Sequence, residues 1–119
     1  MDKFTVCFRA LADRTRLRII HLLIRAEREL CICEIEKCLD IAQYNVSKHT
    51  RELKIAGLIT ERKQGRFVYY RLCCENNGFY RCLLKTIQCI PEKFFLDDIK
   101  RLKKLKAGFT KKCLEKSCR

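Results

Sequence analysis

Residues 31–72, CICEIEKCLDIAQYNVSKHTRELKIAGLITERKQGRFVYYRL, change from a helical to a strand pattern and so predict the architecture of the chain. The first part of this stretch carries apolar residues at the spacing of amphipathic helices, which predicts a short helix over residues 31–39 and a longer one over residues 43–56. Gly57 follows the second helix at the position where glycine commonly ends a helix. This part of the chain therefore predicts two helices joined by a short turn.

The second part of the stretch changes to a strand pattern. Residues 58–63 and 66–72 are rich in β-branched and aromatic side chains, and Gln64-Gly65 separates the two runs. A Gly-containing dipeptide between two such runs is typical of a tight hairpin turn. We therefore predict a β-hairpin directly after the second helix.

Helical patterns also flank this stretch. Residues 3–11 predict a short helix, residues 14–26 a longer one that Asp13 can N-cap, and residues 77–90 and 92–106 two more. The chain is thus predicted to be mainly α with a small β-hairpin wing. The order helix, short helix, helix, hairpin is that of a winged helix-turn-helix, in which the helix over residues 43–56 enters the DNA major groove.

The helix over residues 77–90 bears on the oligomeric state. It is apolar on nearly every side, with Phe79, Leu83 and Ile87 at spacings of four. A chain of 119 residues forms about one domain, and such a helix then needs a partner chain, so we expect a homodimer. We assign residues 1–90 to a winged helix-turn-helix domain with its dimerisation helices, and residues 91–119 to a basic helical C-terminal extension with a cysteine-containing tail.

The positive charge of the chain is concentrated in two segments. The formal net charge is +13, of which residues 43–71 carry +5 and residues 100–119 carry +8. Basic segments of this kind favour a polyanionic partner, here double-stranded operator DNA. The basic extension has a second interpretation as a membrane-surface helix, although we expect no membrane partner for the domain.

The outward-facing residues of the helix over residues 43–56 and of the hairpin are of types that contact DNA bases and phosphates. Gln and Asn side chains can pair with adenine edges, Arg and Lys with guanine or phosphate, and Ser and His with bases or backbone. The candidate DNA-binding residues of the helix and the hairpin are Gln43, Asn45, Ser47, Lys48, His49, Arg51, Arg62, Lys63 and Arg66.

Ten cysteines in 119 residues are unusually many. The N-terminus lacks a signal-peptide pattern and no apolar run is long enough to span a bilayer, so we expect a cytoplasmic protein whose thiols are mostly reduced. No combination of a nucleophile and a general base stands out, and the sequence does not predict an enzyme or an organic cofactor.

Four segments of the chain resemble one known family. They are FRALADRTRLRI at residues 8–19, ELCICEI at residues 29–35, QYNVSKH at residues 43–49, and GLI and RKQGRFVYYRL within residues 57–72. Together they resemble the ArsR/SmtB family of metal- and metalloid-responsive repressors, and most of all its arsenite/antimonite-responsive branch. The resemblance implies a dimer that releases its operator when an inducer binds. Two departures stand out: Ala42 replaces the serine that begins the recognition-helix motif, and Thr50 replaces a leucine.

The resemblance also implies a thiol site. Cys31 and Cys33 match the family's metal box, which implies As(III) or Sb(III) as inducer, with Cd(II) or Pb(II) as the alternative. The third cysteine of the arsenic-type box is Glu36 here, so we assign Cys38 as third ligand, or else Cys113 or Cys118 of either subunit. On an ideal helix Cys31 and Cys33 lie about 200° apart, and joint ligation is therefore expected to distort the helix over residues 31–39.

Other interpretations of the thiols stay open. A thiol redox or persulfide switch on the same fold would release DNA without a bound ion, and a metal-sequestering protein would bind several ions without operator specificity. We interpret His21 as a core residue and Cys82 and Cys89 as packing residues of the dimer helix. The zinc-sensing branch is disfavoured because residues 77–90 contain no histidine.

Overall fold

Helices make up most of the fold, as predicted. A computed structural model describes the backbone of residues 2–73 and 77–117, and the side chains of residues 2–73 and 77–106. The elements in chain order, with a 3₁₀ turn over Glu92–Phe95 before the last helix, are α1 (Lys3–Leu11), α2 (Arg14–Ala26), β1 (Leu30–Cys31), α3 (Ile32–Leu39), α4 (Gln43–Ile55), β2 (Ile59–Gln64), β3 (Phe67–Leu72), α5 (Gly78–Gln88) and α6 (Leu96–Ser117).

The helix starts agree with the sequence-based caps. The Asp13 side chain accepts a hydrogen bond of 3.0 Å from the backbone N–H of Arg16, which confirms Asp13 as the N-cap of α2. Ala42 offers no such bond at the start of α4. The recognition helix therefore begins with exposed backbone N–H groups that no side chain of the N-cap residue satisfies.

The wing is a three-stranded antiparallel sheet in the order β1-β3-β2. The predicted hairpin is confirmed, but its turn lies one residue later than predicted: Gln64 pairs with Phe67, and Gly65 and Arg66 form the turn. Gly65 has a φ of 60° at the first central position, where type II′ hairpin turns place glycine. The two-residue strand β1, which the sequence did not predict, pairs Cys31 with Tyr69.

The core lies between α2, α3, α4 and the sheet. Its fully buried side chains include Ile19 and Ile20 of α2, Ile35 of α3 and Leu53 of α4. Leu102 of α6 belongs to the same cluster, and α6 packs against α3 and α2. Residues on both sides of position 90 thus share one core, and the division of the chain at that position stays a prediction.

The fifth helix is more one-sided than the sequence suggested. It buries Tyr80, Leu83 and Ile87, whereas Cys82 and Cys89 are exposed in the single chain. The exposed positions of α5 also include Arg81, Lys85 and Gln88, so the prediction that the helix is apolar on nearly every side is too broad. No helix in the described part of the chain has the length and apolarity needed to cross a membrane.

Candidate nucleic-acid interface and thiol pair

The fourth helix separates its buried and exposed faces as predicted. Val46 and Leu53 are fully buried beneath it. On the outer face, the base- and phosphate-binding candidates Gln43, Asn45, Lys48 and Arg51 are exposed, and Ser47 is half-buried. The helix can therefore present a polar edge to a DNA groove while its apolar edge holds it to the domain.

Thr50 fills a core position of α4 despite its hydroxyl. It is fully buried, and its Oγ1 donates to the backbone carbonyls of Val46, at 2.8 Å, and Ser47, at 3.1 Å. The polar atom is thus satisfied within the helix itself, so this departure from leucine leaves no unpaired group in the core.

His49 lies at the junction of α4 with α2. Its Nδ1 is 3.4 Å from Nη1 of Arg16 and 3.8 Å from Oδ1 of Asp13, and only 14% of its side chain is exposed. Burial works to raise the pKa of Asp13, but the hydrogen bond from the Arg16 N–H and the nearby His49 and Arg16 charges lower it overall. Among the candidate DNA-binding residues, His49 therefore differs from the exposed ones, because its Nδ1 faces Arg16 and Asp13.

The wing divides the predicted basic residues into two groups. Lys63 and Arg66 are exposed at the hairpin tip. Arg62, by contrast, forms an ion pair with Glu29 and lies over the Tyr69 ring at 4.6 Å. The Arg62 hydrogen bond lowers the pKa of the Glu29 carboxyl. Arg62 thus anchors the wing to the chain before β1, and the tip residues are better placed for phosphates.

Tyr44 is an outward-facing residue of α4 that sequence reasoning did not select. It follows the first residue of the helix and is 77% exposed. The sequence could have indicated Tyr44 by its position on the polar face of the helix, because an aromatic ring there can contact a thymine methyl group.

Cys31 and Cys33 lie side by side at the start of α3. Cys31 is the N-cap residue in an extended conformation, with φ −71° and ψ 150°. The Cys33 thiol donates to Cys31 Sγ across 3.3 Å. The expectation that the two cysteines point about 200° apart on one helix is therefore wrong, because the helix begins after Cys31. The two sulfurs are brought together without unwinding α3.

The surroundings of the pair favour one thiolate and one thiol. The Cys33 thiol lowers the pKa of Cys31 to about 6, assisted by backbone N–H groups of Cys33 and Val68 and opposed by burial and by Glu34. The pKa of Cys33 is raised by the Cys31 sulfur, by burial and by Glu34. The two thiols therefore ionise as a pair: the first proton leaves Cys31, and the proton of Cys33 stays in the hydrogen bond between the two sulfurs.

Glu34 fixes the backbone of this junction. It is only 3% exposed, and its Oε1 accepts from the Cys31 N–H at 2.7 Å, while Arg28 approaches its Oε2 at 3.3 Å. A carboxylate three residues after the N-cap is the second half of a capping box. It holds Cys31 in the extended conformation that brings the sulfurs together.

Cys38 does not join the pair. It is fully buried in the core, and desolvation raises the pKa of its thiol to about 11. Within residues 2–73 and 77–106, no three His, Cys, Asp or Glu side chains form a group that could hold a metal ion. The Cys113 side chain and Cys118 lie outside the described part, so the third ligand stays a prediction.

Of the remaining histidine and cysteines, His21 and Cys7 are buried, and the packing role of the exposed Cys82 and Cys89 in a dimer stays a prediction. His21 is 4% exposed and its ring stacks on Phe95 at 3.8 Å, which confirms it as a core residue. Cys7 is buried, and Cys73 is half-buried after the wing. Cys74 lies outside the described residues.

Comparison with known proteins gives a consistent result. Residues 13–61 match the profile of the "Bacterial regulatory protein, arsR family". The arsenic resistance transcriptional regulator ArsR1 of Pseudomonas putida is 37% identical over 97 residues, which are 82% of this chain and 75% of that protein. The cadmium resistance regulatory protein CadC of Listeria innocua is 40% identical over 63 residues, 53% of this chain and 52% of CadC.

The fold comparison agrees with the sequence comparison. A homodimeric winged helix-turn-helix DNA-binding domain from Mycobacterium bovis superposes with a TM-score of 0.62 at 27% identity, over 75% of this chain and 78% of that one. The mainly α fold with a winged helix-turn-helix is thus confirmed.

Proposed function

The chain belongs to the arsR family of bacterial regulatory proteins, and from that premise we propose that it represses transcription from an operator and leaves the DNA when As(III) or Sb(III) binds Cys31 and Cys33. Proteins of this family are regulators and not enzymes. The observation that carries the proposal is the pair of sulfurs 3.3 Å apart at the start of α3.

The chemistry of the pair suits a soft, thiophilic ion. Thiolate ligands favour such ions over harder ones. Cys31, whose pKa is lowered to about 6, offers a thiolate for the first bond at neutral pH. The relatives that respond to arsenic and to cadmium by name support the same class of inducer. Cd(II) or Pb(II) remains the alternative ion.

A third donor has to come from outside the pair. Cys38 would have to leave the core, because it is fully buried. With Cys113 or Cys118, from the same subunit or from its partner, as third ligand, Cys38 would stay in the core. We therefore propose a tail cysteine as third ligand ahead of Cys38.

Operator binding is proposed to use α4 and the tip of the wing. Gln43, Asn45 and Arg51 would meet base edges in the major groove, and Lys63 and Arg66 would meet phosphates. Ser47, Lys48 and His49 complete the helix contacts, and Arg62 acts by anchoring the wing.

A homodimer is proposed to cover the aromatic surface formed by α1 and α5. Phe4 and Phe8 are 49% and 56% exposed, and their rings meet Phe79 edge-on at 4.8 and 5.6 Å. Exposed aromatic clusters of this kind are common at protein interfaces. Two chains so joined would place two recognition helices on a two-fold symmetric operator.

The switch is proposed to act on α3. An ion held by both sulfurs favours one arrangement of the junction between β1 and α3 and shifts the population of the dimer away from its DNA-binding state. The coupling is reciprocal, so bound operator must also weaken binding of the inducer.

The test is an operator mobility-shift titration in parallel with arsenite, antimonite, Cd(II), Pb(II), Zn(II) and hydrogen peroxide. Arsenite or antimonite is expected to release wild-type protein but neither Cys31→Ser nor Cys33→Ser. Cys89→Ser, which removes an exposed thiol from another helix, is the matched control and should respond like wild type. Release of the double variant Cys31→Ser/Cys33→Ser by arsenite would refute the proposal.

A thiol redox switch is the second candidate function, favoured by the same sulfur–sulfur contact. Peroxide would oxidise the Cys31 thiolate to a sulfenic acid, and the Cys33 thiol would then displace water to form a disulfide. In the titration, this candidate predicts release by peroxide that dithiothreitol reverses, with no effect of the metalloids in the presence of a phosphine reductant.

A further inference from the structure

Two arginines and one buried aspartate meet at the C-terminal end of α3. Arg18 of α2 forms a two-pronged ion pair with Asp98 of α6, with Nε 2.9 Å from Oδ2 and Nη2 2.8 Å from Oδ1. Nη2 of Arg101, also on α6, lies 3.2 Å from Oδ1 of the same carboxylate. Asp98 is 3% exposed, so it is a buried charge fully committed to these two partners.

The same guanidinium groups also bind the last carbonyls of α3. Arg18 Nη2 donates to the Leu39 carbonyl at 2.7 Å, and Arg101 Nε donates to the Cys38 carbonyl at 2.6 Å. The last carbonyls of a helix have no partner within the helix, and positive charge is favourable there. Residues from α2 and α6 thus cap α3 from outside.

This cap lies directly before the recognition helix. Asp40 ends α3 in a left-handed conformation, with φ 54°, and only Ile41 and Ala42 separate it from the first residue of α4. The connection between α3 and α4 thus has only three residues, 40–42. Because so short a connection spans a limited distance, a shift of the end of α3 moves the start of α4.

We propose that Arg18, Asp98 and Arg101, which we name the arginine clamp, position the recognition helix, so that α6 is part of the DNA-reading unit. The three are positioning residues and do not touch DNA. The proposal rests on the operator binding proposed above, and it assigns a function to the first turns of the C-terminal extension.

For the variant Asp98→Asn, a positioning role and a purely electrostatic role predict opposite changes in operator affinity. Asp98→Asn removes a negative charge from a protein that binds a polyanion, which by charge alone should tighten binding to any DNA sequence. If the clamp positions α4, the same change weakens operator binding, because base contacts depend on the placement of the helix.

Asp97→Asn is the matched control. Asp97 lies in the same first turn of α6 and carries the same charge, but it is exposed and outside the clamp. The two variants therefore change the net charge equally, but only Asp98 is hydrogen-bonded to Arg18 and Arg101.

The experiment measures Kd for the operator and for a shuffled duplex across a salt series, without inducer. For Asp98→Asn we expect operator Kd to rise about tenfold, or about 1.4 kcal/mol, while the shuffled-duplex Kd stays at the wild-type value or falls slightly, as charge alone requires. Asp97→Asn should bind both duplexes as tightly as wild type or more tightly. Equal operator Kd for the two variants, or parallel losses on both duplexes, would overturn the proposal.

A second pair of variants keeps the test decisive if Asp98→Asn unfolds. Arg101→Gln and Lys100→Gln each remove one positive charge from adjacent positions of α6, but only Arg101 binds the Cys38 carbonyl. Circular dichroism first establishes that both are folded. Selective loss of operator affinity in Arg101→Gln supports the clamp, and equal Kd values refute it. A wild-type protein that ignores arsenite would refute the proposed inducer and leave these comparisons intact.

Discussion

The charge state of Cys31 can be tested by removing its neighbouring thiol. In the folded chain the Cys33 thiol donates to Cys31 Sγ across 3.3 Å, and this hydrogen bond is the largest cause of the lowered pKa of Cys31. Cys33→Ala deletes that donor and leaves the backbone of the helix start in place. We expect the pKa of Cys31 to rise toward the ordinary thiol value.

The size of the effect follows from the two pKa values. A pKa of about 6 makes Cys31 about nine-tenths thiolate at pH 7, whereas an ordinary thiol with a pKa of about 9 is about one-hundredth thiolate. Burial and Glu34 both oppose ionisation, so the Cys33→Ala variant should hold Cys31 almost entirely as thiol at neutral pH.

The assay is the ultraviolet absorbance of the thiolate as a function of pH. Because the chain has ten cysteines, the signal of Cys31 is read in the acidic to neutral range as the difference between wild type and Cys31→Ser, since loss of Cys31 also lowers the pKa of Cys33 and alters the alkaline range. This difference should titrate with a midpoint near pH 6, and the difference between Cys33→Ala and the double variant Cys31→Ser/Cys33→Ala should titrate well above it. A wild-type midpoint near 9 would refute the account of the pair. Affinity for Cd(II), the alternative ion, should fall more steeply once the pH drops below about 6, because Cys31 then carries a proton that the divalent ion must displace.

Three further predictions concern stability and DNA binding. Tyr80→Phe removes the hydroxyl that donates to the Leu58 carbonyl at 2.6 Å and accepts from the Cys73 N–H at 3.0 Å. Because the Cys73 N–H also donates to the Leu58 carbonyl, neither backbone group is left unpaired, and the variant should lose only about 0.5–1.5 kcal/mol in urea unfolding. Arg66→Gln, which removes an exposed charge at the hairpin tip, should reduce the slope of log K against log[salt] by about one, whereas Arg62→Gln, whose charge is paired with Glu29, should leave the slope nearly unchanged. Burial lowers the pKa of His21 below 6.5, so the urea midpoint should fall as the pH drops through 6.5, and His21→Phe should flatten that fall.

The helical frame of the fold was predictable because its signals are local. The amphipathic period predicted α4 to within a residue of its end, and Asp13 marked the start of α2. The short strand β1 was not predictable in this way. Two residues are too few to show a period, and Leu30 and Cys31 form a strand only because they pair with Tyr70 and Tyr69 some forty positions later.

The candidate site shows the same division. The exposed face of α4 followed from the spacing of Val46 and Leu53. The role of Arg62 did not, because its partner Glu29 lies 33 positions earlier in the chain. The predicted angle between the Cys31 and Cys33 side chains is wrong for a single reason. One helix over residues 31–39 would make the backbone of Cys31 helical, whereas in the structure it is extended.

That one-residue difference changes how an ion at the pair would reach the DNA. Had both cysteines been helical, ligation would have had to unwind α3. With Cys31 in β1, an ion bridges a strand and a helix, and Cys31 is paired with Tyr69 of the wing strand, over which Arg62 lies. The same helix ends at the clamp before α4. An ion held by the two sulfurs, as we propose, would act on both proposed DNA contacts, through the sheet to the wing and through α3 to the recognition helix. Since loss of either contact would weaken operator binding, a small displacement shared between them would suffice for release.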